Sequence, residues 1–115
     1  MPIISIKPLS VNAAWKWRRF KTPEYKNYEK YLLIVLPKLT IPKGRLFIKF
    51  MFGFSNKGQD IDWPIKLILD ILQKKYGFND NRVYALNVQK NIVKKGEEYI
   101  YFTIDKYEWN SKDEW

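Results

Sequence analysis

The sequence predicts a single α+β domain, residues 1–115, with helices packed on one face of a mixed or antiparallel sheet. At 115 residues, 46% hydrophobic and 17% aromatic, the chain suits one modest core and leaves no room for a second. Residues 45–54 alternate apolar side chains with the period of a strand, whereas residues 22–36 and 63–76 repeat them with the period of a helix. Helices that alternate with strands predict the order βαβαββ.

The first half of the chain predicts a strand, a loop, a helix and a strand. Residues 3–7 read as a short strand, and residues 8–21 show neither period, which predicts a long basic loop. Thr22 can cap the following helix and Pro23 suits its first position, while Pro37 ends it. The alternating segment 45–54 is then the central predicted strand.

The second half predicts a helix followed by two strands. The helix spans residues 63–76 and stops at Gly77. Residues 82–93 and 99–104 read as strands that pair as a hairpin. Residues 105–115 are predicted to form a polar tail.

The composition excludes several classes of enzyme. The chain has no His and no Cys, which removes the Ser-His-Asp triad, the Cys-His pair and zinc sites built on imidazole or thiolate. The net charge of +9 and the pI near 9.7 predict attraction to nucleic acid, an anionic membrane or an acidic protein. The N-terminal sequence does not resemble a signal peptide and no apolar run is long enough to span a bilayer, so we expect a cytoplasmic protein.

Charge is distributed unevenly along this basic chain. Residues 1–59 hold 12 Lys and Arg against two acids, whereas residues 60–115 hold 9 against 10. Two carboxylates about 4 Å apart repel by roughly 4 kcal/mol at an effective dielectric constant near 20, so a folded Asp cluster requires protons or a cation. Oxygen ligands favour Mg²⁺, with Mn²⁺ as a substitute.

The spacing of the carboxylates predicts one site. In an extended segment Asp60 and Asp62 project to the same side, and Lys66 and Asp70 follow Asp62 on one helical face. Asp80 follows the helix and must be brought close by the fold. Structural roles explain the spacing equally well: Asp62 as a helix N-cap, Lys66 with Asp70 as an exposed ion pair, and Asp80 as a turn residue.

The same residues carry a resemblance to a known family. The pattern D-x-D-x-x-x-K from Asp60, the acid at Asp70, the pair Gly77-Phe78 and Asp80-x-x-Val resemble the RusA family of Holliday junction resolvases. The resemblance runs through most of the chain, with its core at residues 60–83. Two positions depart from the family pattern, because Trp63 replaces an Asn and Asn79 replaces a second acid.

The resemblance implies a role for each matching residue. Asp60, Asp62 and Asp80 correspond to the family's catalytic, magnesium-binding carboxylates, and Lys66 corresponds to its catalytic lysine. Asp70 and Asn12 correspond to supporting positions, and Asn12 is expected to hold a phosphate or water. The family acts as a homodimer on branched DNA, so we expect a homodimer whose partner is the four-way junction.

The predicted basic loop interleaves cations with aromatic rings. Such a segment can neutralise phosphates and stack on unpaired bases, or its Trp15 and Trp17 can simply pack on the core. Its position in a small domain beside an acidic cluster argues against a membrane. The residues predicted to bind DNA are Lys16, Arg18, Arg19, Lys21 and Lys57.

These observations lead to one hypothesis and two alternatives. The leading hypothesis is a magnesium-dependent, structure-selective endodeoxyribonuclease that resolves Holliday junctions by paired symmetric nicks during DNA recombination and repair. The first alternative is a non-catalytic basic module that binds DNA junctions. The second is an adaptor for a membrane surface or an acidic protein.

Overall fold

In the part of the chain that the structure describes, two helices cover one face of a four-stranded mixed sheet. The computed structural model describes residues 3–8, 15–16, 20–21, 23–58 and 64–108, with backbone alone for 15–16 and 20–21. A 3₁₀ turn at Asp80–Arg82 precedes the fifth strand. In chain order the elements are β1 (Ile3–Ile4), β2 (Trp15–Lys16), β3 (Phe20–Lys21), α1 (Pro23–Val35), β4 (Leu46–Phe54), α2 (Ile65–Tyr76), β5 (Val83–Ile92) and β6 (Tyr99–Lys106). The predicted α+β class is confirmed.

The sheet has the order β1-β6-β4-β5. β4 is parallel to β5 and antiparallel to β6, and Phe50 in the middle of β4 lies opposite Val88 and Phe102. β6 also pairs antiparallel with β1, while β2 and β3 form a separate two-stranded hairpin. The sheet is therefore mixed, and β4 lies inside it.

The predicted hairpin between the last two strands is wrong. β5 and β6 lie on opposite sides of β4, and the segment that joins them crosses the C-terminal end of β4, where the Val93 N–H donates to the Phe54 carbonyl at 2.8 Å. The physical reason is the burial of β4. A strand whose inward side chains are all buried needs a hydrogen-bonding neighbour on both edges, and β5 and β6 supply one each.

The core lies between β4 and the helices. Alternate side chains of β4 face the helices, and none of these is more than 1% exposed, which confirms the predicted period-two strand. The buried side chains of this layer are Leu46, Ile48, Phe50, Phe52 and Phe54 from β4, Ile100 and Phe102 from β6, Leu32 and Leu36 from α1 and its C-terminal extension, and Ile68, Ile71 and Leu72 from α2.

The two helices run parallel to each other. Lys74 in α2 contacts Glu29 in α1 at 2.9 Å, and one residue later the Lys75 ammonium donates to the Leu33 carbonyl at 2.8 Å. The Tyr76 hydroxyl continues the series by donating to the Pro37 carbonyl at 2.7 Å. Four residues earlier on each helix, the charge of Asp70 acts on Tyr25, so the contacts run in the same direction along both helices and their N-terminal ends lie at the same edge of the domain.

The ends of α2 follow from its sequence. Gly77 ends the helix as predicted, since its φ of 72° is a left-handed conformation that glycine adopts without a steric penalty, and its N–H donates to the Gln73 carbonyl at 2.8 Å. At the other end the N-cap is Pro64, without a side-chain hydrogen bond. Asp62, the N-cap that the sequence offered as an alternative, lies outside the described residues, so that role stays a prediction.

Three element boundaries differ from the predictions. The predicted loop 8–21 contains the β2–β3 hairpin, and the predicted strand 3–7 is shortened to Ile3–Ile4. β6 runs to Lys106, so the predicted tail begins with strand residues. No helix in the described part of the chain is long and apolar enough to cross a membrane.

Candidate carboxylate site and nucleic-acid interface

The candidate site lies where β4 ends and α2 begins. Asp60 and Asp62 belong to the connection between these elements, at positions outside the described residues, while Gly58 and Pro64 flank them. This edge holds the C-terminal ends of the parallel strands β4 and β5 together with the N-terminal ends of both helices. Ligands of open sheets with parallel strands commonly bind at such an edge.

Lys66 lies in the first turn of α2, and its side chain is exposed. Its ammonium group is therefore accessible to a ligand that approaches the edge of the sheet where β4 ends, which we call the β4 edge. An anion at this position would also meet the positive end of the α2 dipole.

Asp70 lies one turn further along α2 and faces α1. Its side chain is half-buried. Burial raises the pKa of the Tyr25 hydroxyl, and the negative charges of Glu29 and then Asp70 raise it further, because both carboxylates lie near it. Asp70 is thus part of the contact between the two helices, whereas Lys66, on the same helix, is exposed to solvent.

Asp80 lies at the other end of α2. It is exposed in the 3₁₀ turn, and its backbone N–H donates to the Gln73 side-chain oxygen at 2.9 Å. The next strand begins at Val83, opposite Leu46 at the start of β4. At 1.5 Å per residue, the part of α2 from Lys66 to its last residue is about 15 Å long. One chain therefore does not bring Asp80 to Lys66.

The turn role of Asp80 has direct support. The Asn79 side chain accepts the Asn81 N–H at 3.0 Å and caps the 3₁₀ turn that contains Asp80. Whether Asp80 joins Asp60 and Asp62 stays a prediction, since those two positions lie outside the described residues. Within the described part of the chain, no group of three or more carboxylates could hold a metal ion.

Lysines surround the same edge of the sheet. The Lys90 ammonium in β5 donates to the Lys57 carbonyl at 3.4 Å, and Lys94 and Lys95 lie in the connection that crosses the end of β4. All four side chains are exposed. Among the predicted DNA-binding residues only Lys57 belongs to this group. The Lys94-Lys95 pair was a visible signal in the sequence, but its position over β4 depends on a strand order that the sequence did not reveal.

A hydrogen-bonded carboxylate ties the crossing connection to the chain that leaves β4. Glu98 accepts the Ser55 hydroxyl at 2.8 Å and the Gly96 N–H at 2.7 Å. Its own backbone N–H and these two donors hold the pKa of Glu98 below its ordinary value, so the carboxylate is charged at neutral pH. The contact fixes the lysine-bearing connection beside the segment that leads to Asp60.

The predicted basic loop enters the helical layer at this edge. In the β2–β3 hairpin, Lys16 lies opposite Phe20, and Lys21 is two residues from the start of α1 at Pro23. Arg18, Arg19 and Asn12 lie outside the described residues, as do the side chains of Lys16 and Lys21. Since the helices are parallel, the hairpin leads into the helix end that neighbours the start of α2.

Comparison with known proteins adds no assignment, since no family model and no curated protein matches this chain.

Proposed function

We propose that this chain is a magnesium-dependent endonuclease that resolves four-way DNA junctions, with the reacting phosphate bound at the C-terminal edge of β4. The observation that carries the proposal is the convergence at this edge of the Asp60–Asp62 connection, the exposed Lys66 and a group of lysines. Carboxylates that bind a cation and lysines that bind phosphates are the two elements that hydrolysis of a polyanion needs.

The side chains divide into two tasks. Asp60 and Asp62 would hold the metal ion, because their carboxylate oxygens are the ligand type that magnesium prefers. The ion would supply a water of lowered pKa and stabilise charge on the phosphoryl oxygens. Lys66 neutralises charge that develops on the phosphate, and Lys57 and Lys90 hold the flanking backbone.

Asp80 enters the site through a second copy of the chain. Within one chain, α2 separates Asp80 from Lys66. The set of acids that the resemblance to the RusA family implies is compatible with this fold if each copy supplies its Asp80 to the site of the other copy. In the homodimer, Asp80 of the partner subunit then completes the carboxylate set. A two-fold dimer of this kind has two equivalent sites, which suits the two symmetric strands of a junction.

The first experiment tests the metal ligands. Asp62→Asn removes one negative charge with little change in shape, so we expect cleavage of a labelled four-way junction in Mg²⁺ to fall by about 100-fold or more. Junction affinity should be unchanged or higher, since one charge that repels phosphate is lost. Asp105→Asn is the matched control, because Asp105 is exposed in β6 at the opposite end of β4. Undiminished cleavage by Asp62→Asn would remove Asp62 from the mechanism.

A second experiment tests the exchange of Asp80. Asp62→Asn and Asp80→Asn are each expected to be inactive alone, but their mixed dimer keeps one site in which both acids are intact. Mixing the two variants should therefore restore single nicks in the junction. If both acids act within one chain, the mixture stays inactive, and if Asp80→Asn alone cleaves normally, Asp80 is not a ligand.

The separation of Asp80 from Lys66 also favours a second candidate function. A basic module that binds DNA junctions without cutting them would use the lysines at the β4 edge and leave Asp80 in its turn role. Such a protein binds junctions equally well with Mg²⁺ or a chelator and produces no nicks. The cleavage assay with wild-type protein separates the two candidates.

A further inference from the structure

The outer face of the sheet, opposite the helices, carries aromatic rings and cations. Side chains alternate between faces along a strand, so the residues of β4 and β6 that do not enter the core project outward. In the described part of the chain both helices pack on the other face. The outward residues are Arg45, Phe47, Lys49 and Met51 along β4 and its approach, and Tyr99, Tyr101, Thr103, Asp105 and Tyr107 along β6 and its continuation.

Rings and cations contact each other at one end of this face. Tyr84 and Tyr107 stack with ring centroids 6.0 Å apart, and the Arg45 guanidinium lies 5.1 Å from the centre of the Tyr84 ring. The Lys49 ammonium lies 5.6 Å from the centre of the Phe47 ring. Tyr84 is 60% exposed, so a large part of its surface remains available to a flat ligand.

The other end of the face is an open apolar groove. Ile3, Met51, Tyr99 and Tyr101 line a depression of about 400 Å³. Tyr99 closes over the backbone of Gly53, where the lack of a side chain permits this close approach. From Arg45 to Gly53 the face is about 27 Å long at the rise of an extended strand.

Amide side chains border the face along β5. Asn87, Gln89 and Asn91 are exposed and lie beside the outward residues of β4. The Asn91 amide donates to the Tyr99 hydroxyl at 3.3 Å, and the Gln89 amide donates to the Asn87 oxygen at 3.4 Å. Amides of this kind can donate to and accept from the edges of nucleobases.

We propose that the outer face of the sheet binds unpaired nucleotides of single-stranded DNA. The rings of Phe47 and Tyr84 stack on bases, the amides of β5 contact base edges, and Arg45 and Lys49 neutralise phosphates. The length of the face accommodates about four nucleotides, the short end of the range for such sites. The site uses none of the residues of the β4 edge, so it does not depend on the proposed cleavage.

Charge favours DNA over a second copy of the chain as the occupant. If two copies stacked through this face, Arg45 and Lys49 of one copy would lie near the same cations of the other. Among the outward residues named above, Asp105 is the acidic one. A polyanion meets the same cations favourably.

The test measures binding of a fluorescent oligothymidylate of about 15 nucleotides in the presence of a chelator, by anisotropy. Tyr84→Leu and Phe47→Leu keep an apolar side chain but remove the ring, so each is expected to weaken binding about fivefold or more. Tyr31→Leu is the matched control, because Tyr31 is 48% exposed on α1, in the opposite layer. Unchanged affinity in both ring variants would show that the bases bind to another surface and would overturn the proposal.

Two further measurements complement the binding assay. An oligonucleotide that contains 5-iododeoxyuridine should crosslink under ultraviolet light to Phe47, Tyr84 or Tyr107, and crosslinks confined to other residues would overturn the proposal. Sedimentation of wild type and Tyr84→Leu measures the oligomeric state and tests whether a second copy of the chain covers the face instead. Loss of a dimer in the variant, without loss of oligonucleotide affinity, would show that a second copy covers the face.

Discussion

The buried hydroxyl of Tyr25 predicts a specific response of the fold to alkaline pH. The side chain has no exposed surface, and burial, followed by the charges of Glu29 and Asp70, raises its pKa above the ordinary value of 10.0. Tyr25→Phe keeps the ring and removes the titrating group. The variant therefore isolates the contribution of this one proton to the free energy of unfolding.

The size and sign of the effect follow from proton linkage. Above pH 10 the unfolded wild-type chain loses the Tyr25 proton while the folded chain keeps it, so the free energy of unfolding falls as pH rises. Between about pH 9 and about pH 11 the loss amounts to about 1.4 kcal/mol, and none of it occurs well below pH 9.

Urea unfolding of both proteins across this pH range, followed by circular dichroism, provides the measurement. Other tyrosines and lysines titrate alike in the two proteins and cancel in the difference of their unfolding free energies. The free energy of unfolding of the wild type should fall by about 1.4 kcal/mol relative to that of Tyr25→Phe between about pH 9 and about pH 11. A difference that does not change with pH would refute the placement of this hydroxyl between the helices.

Three further predictions concern packing and DNA binding. Gly53→Ala places a methyl group 3.2 Å from Cγ of Tyr99 and closer still to two other ring atoms, so it should destabilise the fold by about 1–3 kcal/mol. Adding Tyr99→Leu should recover part of that loss, as measured by urea unfolding. Phe52→Ala should cost about 3–5 kcal/mol, because the ring is fully buried, whereas Ile34→Ala, at a position 74% exposed, should change stability little. Lys90→Ala should lower the logarithmic salt slope of duplex DNA binding by about 0.9 if its ammonium contacts one phosphate, and an unchanged slope would exclude that contact.

Local patterns of the sequence predicted the elements well, and strand order poorly. The alternation along β4 and the stop at Gly77 are properties of neighbouring residues, so they are readable from the sequence. The neighbours of β4 are not encoded locally. The turn between β5 and β6 looks like a hairpin turn, yet it crosses an intervening strand, because β4 must be paired on both edges.

The same distinction between local patterns and tertiary contacts applies to the candidate site. Lys66 was predicted on the first turn of a helix after the Asp60–Asp62 pair, and its position there is a local consequence of where α2 begins. The approach of Asp80 to Lys66 needed a tertiary contact, and the direction of α2 prevents it within one chain. The lysines of the crossing connection could not be placed at the site without the strand order, although they stand adjacent in the sequence.

The central claim is that carboxylates and lysines at the β4 edge hydrolyse DNA at a branch point with a divalent metal. Its most direct test is incubation of the purified protein with a labelled four-way junction, in Mg²⁺ and in chelator, with the nick positions mapped on all four strands. The account predicts paired symmetric nicks that appear only with the metal. Junction binding without any nick in Mg²⁺ or Mn²⁺ would contradict it.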